Sequence, residues 1–142
     1  PIKTFVSFNF KNWLAGLLSC SGFEESMDAA WTAGANSEMR DIFDGQILCE
    51  FKGPDGLHFS ISNREGCYIF SLGCDFFNSH GNKQAGKKKS IGILSLVCLN
   101  LLPDLHHKPE NMFLAGIIPG PKEPPVNALN HYLKPLIDDL CE

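Results

Sequence analysis

Asp75 follows an alternating apolar run, Cys67 to Cys74, and precedes Phe76-Phe77-Asn78. A carboxylate at the end of a hydrophobic strand sits on a rigid element and points at the sheet's end. Polynucleotidyl transfer uses such carboxylates to hold Mg²⁺ ions that activate the attacking oxygen and stabilise the leaving one. Mg²⁺ keeps several waters and needs more than one protein carboxylate to be held usefully. Position alone favours a plainer role, a strand-terminal Asp that forms a turn. A second candidate is Asn82-Lys83-Gln84-Ala85-Gly86-Lys87-Lys88-Lys89, which gathers four of the chain's 12 basic residues. Lysines neutralise phosphates as point charges, and Gly81 and Gly86 allow close backbone approach. A solvated hairpin loop accounts for the same lysines equally well. The Walker spacing is absent, so the run is no P-loop. His106-His107 with Glu110 reads as a solvated turn between Pro103 and Pro109, and Asp138-Asp139 as an exposed polar helix face. Cys74 has no histidine placed to activate it, and its alternation with Leu72 makes it a core residue.

The elements that would position these groups fall into two halves. Residues 1–65 read as helical and irregular. Phe10, Trp13, Leu14, Leu17 and Leu18 recur at helical spacing. Ser21 and Glu24 resemble a capping box for a helix bearing Phe23, Met27, Ala30 and Trp31, with Gly34 as its stop. Ser37 is expected to cap a short helix through Met39, Ile42 and Phe43. Gly53-Pro54-Asp55-Gly56 is a turn signal. Residues 66–142 change character. Cys67–Cys74 reads as a strand ending at Asp75, with Tyr68, Phe70, Leu72 and Cys74 on one face. Ile91–Leu99 suits a strand buried on both faces, and Met112–Ile118 a third strand, stopped by Pro119-Gly120-Pro121. Val126, Leu129, Leu133, Leu136 and Leu140 mark one helical stripe, in which Pro135 removes a backbone donor and should kink the helix. Three strands with antiparallel connections and then a helix match the opening of the ribonuclease-H-like fold, an α/β (α+β) class. Many other folds also contain a three-stranded meander.

Composition sets the outer limits. The 142 residues are 44% hydrophobic and 20% charged, the balance of a globular chain of one-domain size. A net charge of −4 argues against a surface wholly given to nucleic acid, though not against a local basic site. The longest apolar run, Ile91 to Leu102, falls short of the roughly 20 residues that span a bilayer, and no signal peptide is visible. Among six cysteines there is no C-x-x-C pair. Cys67 and Cys74 on one straight strand would stand roughly 23 Å apart. Buried free thiols in a reducing, intracellular compartment are therefore expected. The first residue is Pro1, and Glu142 follows an apolar helical pattern, so both ends read as cuts in a longer frame.

Several runs resemble the CACTA-type (EnSpm-like) transposases, especially fungal ones related to the Kyakuja–Dileera–Zisupton group. They are Phe70-Ser71-Leu72-Gly73-Cys74-Asp75-Phe76-Phe77-Asn78, then Gly81 through Gly92, and then Lys108 through Pro121. Met39 through Gln46 and Phe51 through Gly56 look similar too. The resemblance spans nearly the whole chain and keeps the motifs in order. It departs where Ser79 replaces a common proline, and where Gly73 and Cys74 replace larger or β-branched strand residues.

The resemblance implies a nuclear DNA transposase with a DDE/D set of carboxylates on a ribonuclease-H-like core. Its reaction would be Mg²⁺- (or Mn²⁺-) dependent cleavage and strand transfer of transposon-end DNA. Asp75 matches the first carboxylate and becomes a catalytic metal ligand, while Lys83, Lys87, Lys88 and Lys89 become phosphate contacts. The other carboxylates belong further along the fold than Asp138, Asp139 or Glu142. The expectation is thus a single partial domain, the N-terminal part of the catalytic domain. It would lack its C-terminal portion, hold no metal tightly and be inactive alone. Its partners would be DNA and the rest of that domain, with no membrane and no small-molecule substrate. The alternatives are a non-catalytic nucleic-acid- or protein-binding module derived from such an enzyme, and a pseudogene product. The Asp75 strand would present an unpaired edge where the fold expects a parallel neighbour.

Overall fold

The computed structural model describes residues 4–32, 39, 41–59, 66–78 and 90–141. It is a mixed α/β chain with a four-stranded antiparallel sheet and, among the described residues, four α-helices. In chain order these are β1 (Val6–Ser7), α1 (Phe10–Leu18), α2 (Phe23–Ala29), α3 (Gln46–Glu50), β2 (Phe70–Asn78), β3 (Ser90–Cys98), β4 (Met112–Ile118) and α4 (Val126–Cys141). Contacts divide the chain into two compact units, one of residues 1–15, 72–97 and 112–142, the other of residues 16–71 and 98–111. A division near residue 65 differs from this, because the first residues of the chain and its last helix belong to the same unit.

The first unit is built on the sheet, in the order β1-β4-β3-β2. The fourth strand, β1, corrects the expectation of three. Val6 and Ser7 pair antiparallel with Ile117 and Gly116, a strand too short to show an alternation. Along β3, Gly92, Leu94, Leu96 and Val97 are buried, while Ile91, Ile93 and Ser95 are half-buried. The strand therefore has one well-covered face, rather than two. Its ladder with β4 slips between Leu94 and Ser95, a bulge that places one extra β4 residue, Ala115, between the paired Leu114 and Gly116. The core gathers Phe10, Leu94, Leu96, Phe113, Ile118 and Leu136. Phe113 receives both Phe10 (ring centroids 5.4 Å apart, T-shaped) and Trp13 (5.3 Å), pairs worth about 0.5–1.5 kcal/mol each beyond their buried area. The helix α4 runs unbroken through Pro135 and buries Leu136.

The second unit is held by aromatic rings and one buried amide. Trp31 meets Phe43 edge-on at 4.8 Å and Phe59 at 5.9 Å, and Phe59 meets Phe51 at 5.6 Å. Trp31 Nε1 donates to the Cys67 carbonyl at 2.7 Å. Met27, Cys98 and Leu101 are almost wholly buried. The expected turn forms at Gly53–Gly56, with Gly56 at φ 77° and the Lys52–His58 bridge closing it. The capping box expected at Ser21 and Glu24 does not form. Gly22, in a left-handed conformation, takes the N-cap of α2 without a side-chain bond. The box occurs instead at Asp41 and Asp44, around a 3-10 turn at Ile42–Asp44, which replaces the predicted third helix there. Ser37 and Gly34 lie outside the described residues.

Candidate functional site

Asp75 stands within β2, which continues to Asn78 instead of ending at Asp75. Two glycines on neighbouring positions show which way its side chain faces. A Cβ built on Gly92 would run into the Phe76 ring, so Phe76 lies flat over Gly92. A Cβ on Gly73 would come within 2.9 Å of Ser95 Oγ, so Gly73 and Ser95 share the opposite face. Strand alternation puts Asp75 with Gly73 and Phe77 on that opposite face. Asp75 is exposed, and its Oδ1 accepts from the Phe76 backbone N–H at 2.8 Å. A larger residue at 73 would press on the Ser95 hydroxyl, so Gly73 leaves room for that side chain beside Asp75.

Among the described residues, the strand bearing Asp75 is the last in the sheet order, beside β3. Seven of its nine residues are exposed, and only Phe70 and Phe76 are half-buried. This corrects the reading of Cys74 as a core residue: Leu72 is 46% exposed and Cys74 is exposed too. Their apolar types match a face that an edge strand leaves uncovered. Partial burial and then the negative charge of Asp75 push the Cys74 thiol above its ordinary range, which keeps it protonated and a poor nucleophile at neutral pH. All six cysteines are free thiols, as expected, but Cys20, Cys49, Cys74 and Cys141 are exposed and only Cys98 is buried.

Among the described residues no three His, Cys, Asp or Glu side chains come together in a way that would hold a metal ion. Asp75 with its Phe76 amide contact does not by itself make a Mg²⁺ site. Lys83, Lys87, Lys88 and Lys89 lie outside the described residues. His106 is half-buried and its Nε2 lies 2.6 Å from the Leu101 carbonyl and 3.2 Å from that of Leu99, so it ties down its loop rather than lying free in solvent. His107 and Glu110 are exposed. No helix among the described residues is long and apolar enough to cross a membrane.

The chain matches no protein-family model, and no curated protein or solved structure is significantly similar to it. Function must therefore be argued from the geometry and the sequence.

Two residues carry more structure than the sequence signalled. Asp139, read as an exposed helix face, accepts the Phe10 backbone N–H at 2.6 Å and Asn9 Nδ2 at 3.1 Å. It satisfies the N-terminus of α1, where Asn9 Oδ1 also accepts the Asn12 N–H. Asn100, a polar residue within the apolar run Ile91 to Leu102, is 2% exposed and bonded in three directions. Partners more than a hundred residues away, as for Asp139, leave no mark in local spacing.

Proposed function

We propose that the chain is the first part of the catalytic domain of a CACTA-type, cut-and-paste DNA transposase, on a partial ribonuclease-H-like core, and that it is inactive alone. The observation that supports this reading is the place of Asp75. Its strand, β2, is followed in sequence and in the sheet by β3 and then β4, with α4 after them, and among the described residues β2 stands at one end of the sheet. In the proposed parent, that edge receives a parallel strand bearing the next carboxylate. Asp75 would then be one of several residues to hold a Mg²⁺ ion, which when bound would supply charge stabilisation to the oxygens of a phosphodiester. The lysines at 83, 87, 88 and 89 engage DNA phosphates without reading bases.

The alternative is a non-catalytic nucleic-acid- or protein-binding module of the same ancestry. Nicking of supercoiled DNA in Mg²⁺ or Mn²⁺, with Asp75→Ala alongside, tests both. We expect DNA binding but no nicking from the chain alone. Metal-dependent nicking lost in Asp75→Ala would overturn the claim of inactivity, and an absence of DNA binding at low salt would sink both nucleic-acid readings.

A further inference from the structure

The first unit holds a cavity of about 330 Å³ that the transposase reading does not use. That volume lies at the small end of ligand sites. Its lining mixes two kinds of residue, aromatic (Phe5, Phe8 and Tyr132) and oxygen-bearing (Ser7, Asp138 and Asp139). Phe5 and Tyr132 meet edge to face at 5.3 Å, and Phe8 is 49% exposed. Among the described residues, no Lys, Arg or His lines it.

The carboxylate of Asp139 is fixed before any ligand arrives. One oxygen accepts the Phe10 N–H and the other accepts Asn9 Nδ2. Each oxygen keeps lone-pair capacity for another donor. Asp138 is bound to Lys134 at 2.8 Å, but that pair is an exposed i,i+4 contact, of a kind weak enough to open for a better partner. A phosphate or carboxylate would be repelled here. A neutral apolar ligand would cover the carboxylates without replacing their water, at a cost. A positively charged nitrogen on an apolar stem answers both kinds of residue, donating to the carboxylates while its stem packs against aromatic carbon.

We propose that this pocket binds an organic cation, an ammonium or guanidinium group on an apolar stem. Two sources share that chemistry: a free small amine, and a lysine or arginine side chain presented by another protein. The inference is independent of the transposase reading, because it uses neither Asp75 nor the lysine run.

Phenethylamine, its neutral counterpart 2-phenylethanol and a blocked Ala-Arg-Ala tripeptide, each titrated into the full chain by NMR, provide the test. Phenethylamine is expected to give saturable shifts at Phe8, Ala115 and Tyr132, with Kd on the order of 1 mM, as suits a weak small ligand. The alcohol should bind about tenfold more weakly, and Phe8→Ala and Asp139→Asn should each weaken the amine by about fivefold or more. If Asp139→Asn loosens α1, Asp138→Asn and Phe8→Ala replace it, since both sites are exposed. Tighter binding of the tripeptide would assign the site to a side chain of a partner, and tighter binding of phenethylamine to a free amine. Equal binding of the alcohol, shifts outside the pocket, or no saturable binding by either cation would overturn the proposal.

Discussion

Asn100 is an amide among leucines, and its burial has a specific cause. Its Oδ1 accepts the Ile69 N–H at 2.7 Å, while Nδ2 donates to the carbonyls of Met27 at 3.2 Å and Cys67 at 3.1 Å. Removing it would take the acceptor from the Ile69 N–H and a donor from the Met27 carbonyl, while the Cys67 carbonyl would keep Trp31 Nε1. Asn100→Ala is expected to destabilise the chain by about 2–4 kcal/mol, measured by urea denaturation. Asn100→Asp should be worse at neutral pH, because a carboxylate oxygen would face two carbonyls, and it should recover partly as acid protonates it. Equal urea midpoints for wild type and Asn100→Ala would remove the amide from this role. Cys98 makes a second prediction at this scale. Burial raises its thiol pKa, outweighing the lowering by hydrogen bonds from the backbones of Asn100 and Leu101. A raised folded-state pKa means the native state holds its proton longer than the unfolded chain. The stability linked to that proton is complete below the ordinary thiol range and is lost as pH rises through the folded value. Tyr68 is raised as well, first by burial and then by Asp28, Glu24 and the two cysteines Cys98 and Cys67. Alkaline destabilisation should therefore be shallower in Cys98→Ala than in wild type, and shallower again with Tyr68→Phe added. Parallel curves would contradict the assignment.

Elements with strong internal patterns were legible, and those defined by distant partners were not. β3, β4 and α4 fall within a residue of where their apolar patterns place them, because a run such as Met112–Ile118 carries its own period. The helix of Phe10, Trp13 and Leu17 forms for the same reason. The two-residue β1 has no period to read, and exists because β4 offers its edge. Asp75 was legible as a strand residue at a sheet edge, but the exposure of Leu72 and Cys74 beside it was not, since that depends on what covers the face of β2. The cap of α1 belongs to this class as well. Asp139→Ala removes the acceptor of the Phe10 N–H and should cost about 1–2 kcal/mol, read as a lowered urea midpoint. Asp139→Asn keeps one carbonyl oxygen and should recover part of the loss. If both variants match wild type, the cap contributes nothing to folding.

At the scale of the whole molecule, charge and the terminal strand of the sheet bear on what the chain meets. Sheet edges in soluble proteins are commonly guarded by lysine, proline or bulges. The β2 sequence Phe70–Asn78 has no lysine and no proline, and its one charge is Asp75. Association through this edge should be visible as concentration-dependent growth in light scattering, and Leu72→Lys should suppress it while leaving the urea midpoint within about 0.5 kcal/mol of wild type. DNA presents the opposite problem, because a chain of net charge −4 must attract a polyanion through a local cluster. Of its 12 lysines and arginines, four stand at 83, 87, 88 and 89. Each phosphate they neutralise on duplex DNA contributes about −0.9 to the slope of log K against log salt. Replacing all four by glutamine is therefore expected to flatten that slope by up to about 3–4 and to weaken binding to all duplex sequences alike. A slope unchanged in the quadruple variant would place the phosphate contacts elsewhere. A loss confined to one DNA sequence would mean that the lysine run reads bases, which point charges on flexible stems are poorly built to do.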